Sequence, residues 1–202
     1  MTSTRDRLEA ILAGPAIRED NKVFLRLYRE AARAEADAAD RRREAGITLG
    51  PLDGKIVSIK DLFDVAGEPT TAGSVIRRNA TPAVADAVIV SRLRQAGAVI
   101  IGKTNMPEFA FDPLGRNPHY GTPANAIDAT RIPGGSSSGA AVSVAMASSE
   151  IAIGSDTGGS TRIPASLNGV VGFSSRQRVA SPWMERFCSH SHSTVLDRWR
   201  AL

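Results

Sequence analysis

Residues 134–164 read GGSSSGAAVSVAMASSEIAIGSDTGGSTRIP. The stretch holds enough serine and glycine to pass for a flexible linker, yet it contains an apolar run from Ala140 to Ala147 and a short β-like run from Ile151 to Gly154. A linker lacks the means to bury itself. A glycine turn, an apolar run, a β-like run and a second glycine turn in succession predict loop, helix, strand and loop.

The flanking sequence extends that pattern. After the turn at 50–54 comes KIVSIKD (55–61), a short β-branched strand. Residues 83–95 have helical spacing, and AGAVIIGKT (96–104) reads as a second strand. Near the start, Thr4 to Ala13 predicts a helix stopped by Gly14-Pro15. Asn21 to Glu44 predicts a second helix closed by Gly46, with Phe24, Leu27 and Tyr28 turned inward and its charges on a solvated face. Met106 to Phe111 is expected to form a short helix, and 112–133 a loop. Helices alternating with buried strands point to an α/β fold.

Composition narrows the function classes. With 202 residues and 42% hydrophobic content the chain can bury one sizeable core, two at most. The net charge of +4 comes from interleaved acids and bases with only 5% aromatic residues, which argues against direct nucleic-acid binding. No apolar run approaches the length of about eighteen that a membrane span needs, and MTSTRDRLEA carries no apolar export region, so a cytoplasmic protein without membrane association is expected. The single Cys188 fits a reducing compartment and leaves neither a disulfide nor a cysteine-based metal site; no metal and no cofactor are expected.

The glycine turns present backbone N–H groups, as phosphate cradles and helix caps do, but neither GGSSSG nor GSDTGGS matches the P-loop pattern. A serine nucleophile needs a base. The three histidines are His119, His190 and His192, two of them in the last thirteen residues, so a Ser-His-Asp triad is poorly supported. A lysine serves instead where desolvation or neighbouring donors keep it neutral, and Lys60 ends an apolar strand.

Four motifs in order, GPLDGKIVSIKDLFDVAG, GAVIIGKTNMPEFA, PGGSSSGAAVSVA and GSDTGGSTRIPASLNGVVGF, resemble the amidase signature hydrolases over roughly Gly50 to Phe173. The resemblance implies an α/β fold with a mixed central sheet covered by helices, here ending before the fold's C-terminal half. It implies that Lys60 is the catalytic lysine, Ser136 a bridging serine after a cis peptide bond, and Ser160 the acyl-forming nucleophile. Thr157, Gly158, Gly159 and Ser160 would supply the amides of an oxyanion hole, and Gly134 and Gly135 would permit the turn before Ser136. Asp156 and Arg162 are read as a supporting pair, Ser137, Ser138 and Ser166 as caps or packing residues, and Lys55 and Lys103 as surface or structural residues. The implied reaction is hydrolysis of a small-molecule carboxylic amide. The same family contains the glutaminase component of a glutamine-dependent tRNA amidotransferase, which works with partner proteins and ATP, and a non-catalytic module is a third alternative. A homo-oligomer is compatible with these features.

The resemblance weakens after Phe173, so residues 1–173 are read as the N-terminal part of an amidase domain and 174–202 as a non-homologous tail. Pro182-Trp183-Met184-Glu185 back-translates as CCN TGG ATG GAR, and moving the frame by two bases yields Leu, Met or Val followed by Asp and Gly, the continuation that the resemblance implies. The same shift makes two further tail segments family-like, so the tail is expected to be an out-of-frame reading.

Overall fold

The computed structural model describes residues 2–174 and 192–197. The helices are α1 (Thr4–Leu12), α2 (Arg29–Glu44), α3 (Val88–Gln95), α4 (Ser138–Ala145) and α5 (Arg162–Leu167). The strands are β1 (Phe24–Leu27), β2 (Ile56–Lys60), β3 (Val99–Thr104), β4 (Ile151–Asp156), β5 (Val171–Ser174) and β6 (His192–Asp197). They form one mixed sheet in the order β1-β3-β2-β4-β6-β5. At its centre β2 runs parallel to both β3 and β4. β1 joins β3 antiparallel, and β6 lies antiparallel between β4 and β5.

Alternation along the central strands sends side chains to two cores. Val57, Ile59, Ile100 and Ile153 pack with Phe63 and with Val90 and Leu93 of α3 on one face. Ile56, Val99 and Ile101 pack against Leu8 and Leu12 of α1 and Ala32 and Ala36 of α2 on the other. α4 covers β4 with Ala140, Ala141 and Val144, small enough to bring helix and sheet close. β2 is buried along its whole length, as a strand flanked by helices on both faces must be.

Three expectations change. The predicted helix over 21–44 is β1 followed by α2, because Phe24 to Leu27 pairs with β3 and gains sheet hydrogen bonds that its helical spacing did not anticipate. α3 begins at Val88, since the preceding residues are tied down as loop by Gly67 N–H to Ala83 O and by Ala66 N–H to the Asp86 carboxylate. α5 was not expected; its Pro164 sits in the first turn, where a missing N–H costs no helical bond. The tail reading of 174–202 falls mostly outside the described residues, Ser174 ending β5 and His192–Asp197 forming β6.

Gly139, at the start of α4, is where the helix meets the strand ends. Its N–H donates to Asn105 O at 3.0 Å, and a Cβ there would stand 2.4 Å from Val23 O and 2.7 Å from Asn105 N. All of these are backbone atoms with no freedom to turn away. Gly139→Ala is expected to cost more than about 2 kcal/mol through this overpacking, against about 1 kcal/mol for Ala141→Gly within the same helix. Urea unfolding of the two variants checks the order.

Candidate active site

Lys60 is the last residue of β2, and its side chain is fully buried. Alternation places it on the same face as Ser58, whose hydroxyl meets Ser143 of α4 at 3.0 Å. Its Nζ donates to Ser136 Oγ at 2.7 Å and to Ser155 Oγ at 2.9 Å. A lysine head so far from water needs polar partners, and these hydroxyls are among them.

Ser136 lies in the turn before α4 and is fully buried. The Gly135–Ser136 peptide bond is cis. Gly134 N–H donates to Leu114 O and Gly135 N–H to Pro113 O, which hang the turn on the 112–115 loop. A Cβ on Gly135 would lie 2.5 Å from Asp112 O and 2.8 Å from Gly115 N, so only glycine lets the two backbones approach this closely.

Ser160 sits in the loop between β4 and α5, partly exposed. Ser137 ties this loop to the Ser136 turn. Its N–H donates to Ser160 O at 2.9 Å, and its hydroxyl contacts both the N–H and the carbonyl of Ser155 at 3.4 Å. Ser137 stands at the N-cap of α4, yet its side chain makes no capping bond and serves this bridge instead.

Asp156 organises the second loop. Its buried carboxylate accepts the N–H groups of Gly159 at 2.8 Å, Thr161 at 3.3 Å and Arg162 at 3.4 Å. Arg162 Nε and Nη2 reach the same carboxylate, each at 3.0 Å, a bidentate pair. Burial pushes the Asp156 carboxyl upward, but Arg162 and the backbone donors together outweigh it and hold the group below the usual carboxylate range. The Gly159 amide, expected in an oxyanion hole, is thus spent on Asp156.

Lys103, read as a surface or structural residue, is enclosed in the core on β3. Lys55 lies partly exposed, 3.6 Å from Glu150. Ser155 was missed as a partner of Lys60. The only signal was its position in GSDTGGS, two residues before a predicted glycine turn, which does not reveal where a side chain points. Among the described residues no group of three or more His, Cys, Asp or Glu stands where it could hold a metal ion.

The Lys60 bonds to Ser136 and Ser155 join three of the four motifs on which the family resemblance rests, and residues 8–195 match the amidase family model. The chain belongs to the amidase family. This amidase-family chain is 48% identical over 173 residues to the AtzE component of the 1-carboxybiuret hydrolase of Pseudomonas sp. (strain ADP), covering 85% of the chain and 38% of that protein. It is 46% identical over 157 residues to the A component of the glutamyl-tRNA(Gln) amidotransferase of Streptomyces coelicolor, covering 78% of the chain and 31% of that protein. It superposes on the native peptide amidase from Stenotrophomonas maltophilia with a TM-score of 0.80 at 31% identity, over 98% of the chain and 42% of that structure. The chain therefore spans less than half the length of these relatives. Among its described residues no helix is long and apolar enough to cross a membrane.

The depressed carboxyl of Asp156 gives the second loop a pH signature. A group whose folded-state value lies below its unfolded one stabilises fully above the unfolded value, near 3.9, and loses that contribution as pH falls through the folded one. Hydrogen exchange at the Gly159 and Thr161 amides is expected to stay protected down to the ordinary aspartate range and to lose protection below it. Asp156→Asn is expected to accelerate exchange at both amides already at neutral pH.

Proposed function

We propose that this chain carries the Ser-cisSer-Lys machinery for hydrolysing a carboxylic amide to an acid and ammonia or an amine. The observation that carries the reading is Lys60 Nζ at 2.7 Å from Ser136 Oγ, on the turn that Ser137 ties to Ser160. The relay starts from the neutral amine of Lys60. Lys60 takes the hydroxyl proton of Ser136, and Ser136 takes that of Ser160 as Ser160 Oγ bonds to the carbonyl carbon. Negative charge collects on the carbonyl oxygen, opposite the amides of Thr157, Gly158 and Ser160. Return of the proton through Ser136 to the amide nitrogen breaks the C–N bond and releases the amine. Water then attacks the Ser160 ester, with the same relay as base, and releases the acid.

Within this reading Ser155 gives Lys60 a further hydroxyl partner beside Ser136, and Asp156 with Arg162 shapes the turn that carries Ser160. The substrate is a small-molecule amide, and none of the roles assigned here calls for a metal, a cofactor, a nucleic acid or a membrane. A second reading, the glutamine-hydrolysing component of a tRNA amidotransferase complex, draws on the likeness to the Streptomyces coelicolor protein. Ammonia release from glutamine only in the presence of partner proteins would favour that reading over a stand-alone amidase. Residues 174–202 are proposed as out-of-frame sequence, on the codon pattern around Pro182 to Glu185. An independent DNA read across the codons after Phe173 is expected to restore a family-like frame, and an unchanged read contradicts it.

Lys60→Ala is expected to lower kcat on a simple amide by about 10²–10⁴-fold, the range for loss of a general base. Ser155→Ala, which removes one partner of Lys60 and leaves the relay itself intact, is expected to cost about 10-fold. Ser155→Ala should unfold at a urea concentration close to wild type, whereas Lys60→Ala, which empties a fully buried site, should unfold earlier, so turnover is compared where both variants remain folded. Equal turnover in Lys60→Ala and wild type would sink the assignment.

A further inference from the structure

A second lysine lies behind the first. Lys103 on β3 is 2% exposed, and its Nζ reaches three acceptors: Thr70 Oγ1 at 3.2 Å, Glu68 Oε1 at 3.4 Å and Asp61 Oδ1 at 3.5 Å. An ammonium has three protons, and each has an oxygen here. Thr70 donates its own hydroxyl proton to Asp64 at 2.6 Å. Glu68 accepts in addition from the Tyr28 hydroxyl and from Arg26 Nη1, the latter at 2.7 Å. Asp61 accepts from the Thr71 hydroxyl and from Gly73 N–H, the latter at 3.2 Å.

A β-bulge puts Lys103 there. Val57 pairs with Ile100 but Ser58 pairs with Gly102, so β3 carries one extra residue at Ile101. Under strict alternation, with no bulge, Lys103 would follow Val99 and Ile101 to the side of α1 and α2. With it, Lys103 pairs with Ile59 and faces the α3 side, where Asp61 also points. The two lysines therefore stand on opposite faces of adjacent strands one pair apart, Lys60 opposite Thr104 and Lys103 opposite Ile59.

Asp61 is covalently next to Lys60. Its N–H donates to Thr104 O at 3.2 Å, its carbonyl accepts from Ala72 N–H at 3.0 Å, and its carboxylate is held by Lys103. The end of β2 is thus pinned on the face opposite the Lys60 side chain. The segment that supplies Glu68, Thr70, Thr71 and Gly73 continues the support, because Asn117 Nδ2 ties Gly73 O to Met106 O at 2.8 and 2.7 Å.

We propose that Lys103 is a positioning residue for Lys60, acting through Asp61: it fixes the end of β2 so that Lys60 Nζ sits between Ser136 and Ser155. The proposal rests on the amide-hydrolase reading for its catalytic consequence, but its geometric content can be tested alone. Lys103→Met by itself leaves the Asp61 carboxylate buried without its cation and threatens folding. The double variant Lys103→Met/Asp61→Asn removes both charges and keeps the Thr71 and Gly73 bonds available, so the fold can persist while the pin is gone.

Two readouts decide. The first is amide hydrogen exchange at Phe63, whose N–H donates to Lys60 O, and at Ala72, compared with Ile153 in β4. The second is the rate at which a fluorophosphonate labels Ser160. In the double variant, exchange at Phe63 and Ala72 is expected to rise at least 10-fold with Ile153 unchanged, and labelling to slow at least 10-fold. Exchange at wild-type rates at both amides overturns the proposal, and so does labelling at the wild-type rate. Failure of the wild-type protein to label at all counts against the amide-hydrolase reading instead, and the exchange comparison still decides whether Lys103 positions Lys60.

Discussion

The structure turns on a lysine nitrogen enclosed in the core. Lys60 Nζ sits at the end of a strand buried along its length, and burying such a group without hydrogen bonds would cost several kcal/mol. Among its partners, Ser136 comes from the turn before α4 and Ser155 from β4. Satisfying this one nitrogen therefore fixes two separate chain segments against β2. The glycines follow from the same demand, since Gly135 and Gly139 lie where backbones approach too closely for a Cβ.

Around that point the polar groups are organised by layer. On the α4 side, Ser58, Ser143 and Ser149 satisfy one another at 2.9 to 3.2 Å and carry no charge. On the α3 side, charges are gathered into one cluster in which Lys103 faces Asp61 and Glu68. Burial pushes the Asp61 carboxyl up, with Lys103, Thr71 and Gly73 opposing it. Among the groups that Lys60 Nζ bonds, Ser136 and Ser155 are hydroxyls, which can give or take a proton.

Much of this was legible in the sequence. The strands KIVSIKD and AGAVIIGKT and the apolar run after GGSSSG stand close to where their periodicity placed them, with Gly54, Gly97 and Gly134-Gly135 marking where each begins, and the strand before GSDTGGS runs on into it as far as Asp156. The coming together of Lys60 and Ser136 could be expected only through the family resemblance. Three features escaped for physical reasons. Phe24 to Leu27 fits a helical and an edge-strand pattern equally well, and only the partner β3 decides. The bulge at Ile101 has no local signature, so the face occupied by Lys103 could not be read. The loss of the Gly159 amide to Asp156 depends on the curl of a loop whose composition allows several.

The most direct test of the account is to trap the intermediate. Wild-type protein mixed with an activated amide or ester and quenched in acid within one turnover should show, by mass spectrometry of its peptides, an added acyl group on Ser160. The adduct should be absent from Ser160→Ala and greatly reduced in Lys60→Ala. An adduct on another residue, or equal acylation of Ser160 in wild type and Lys60→Ala, would contradict the claim that the buried lysine drives this serine.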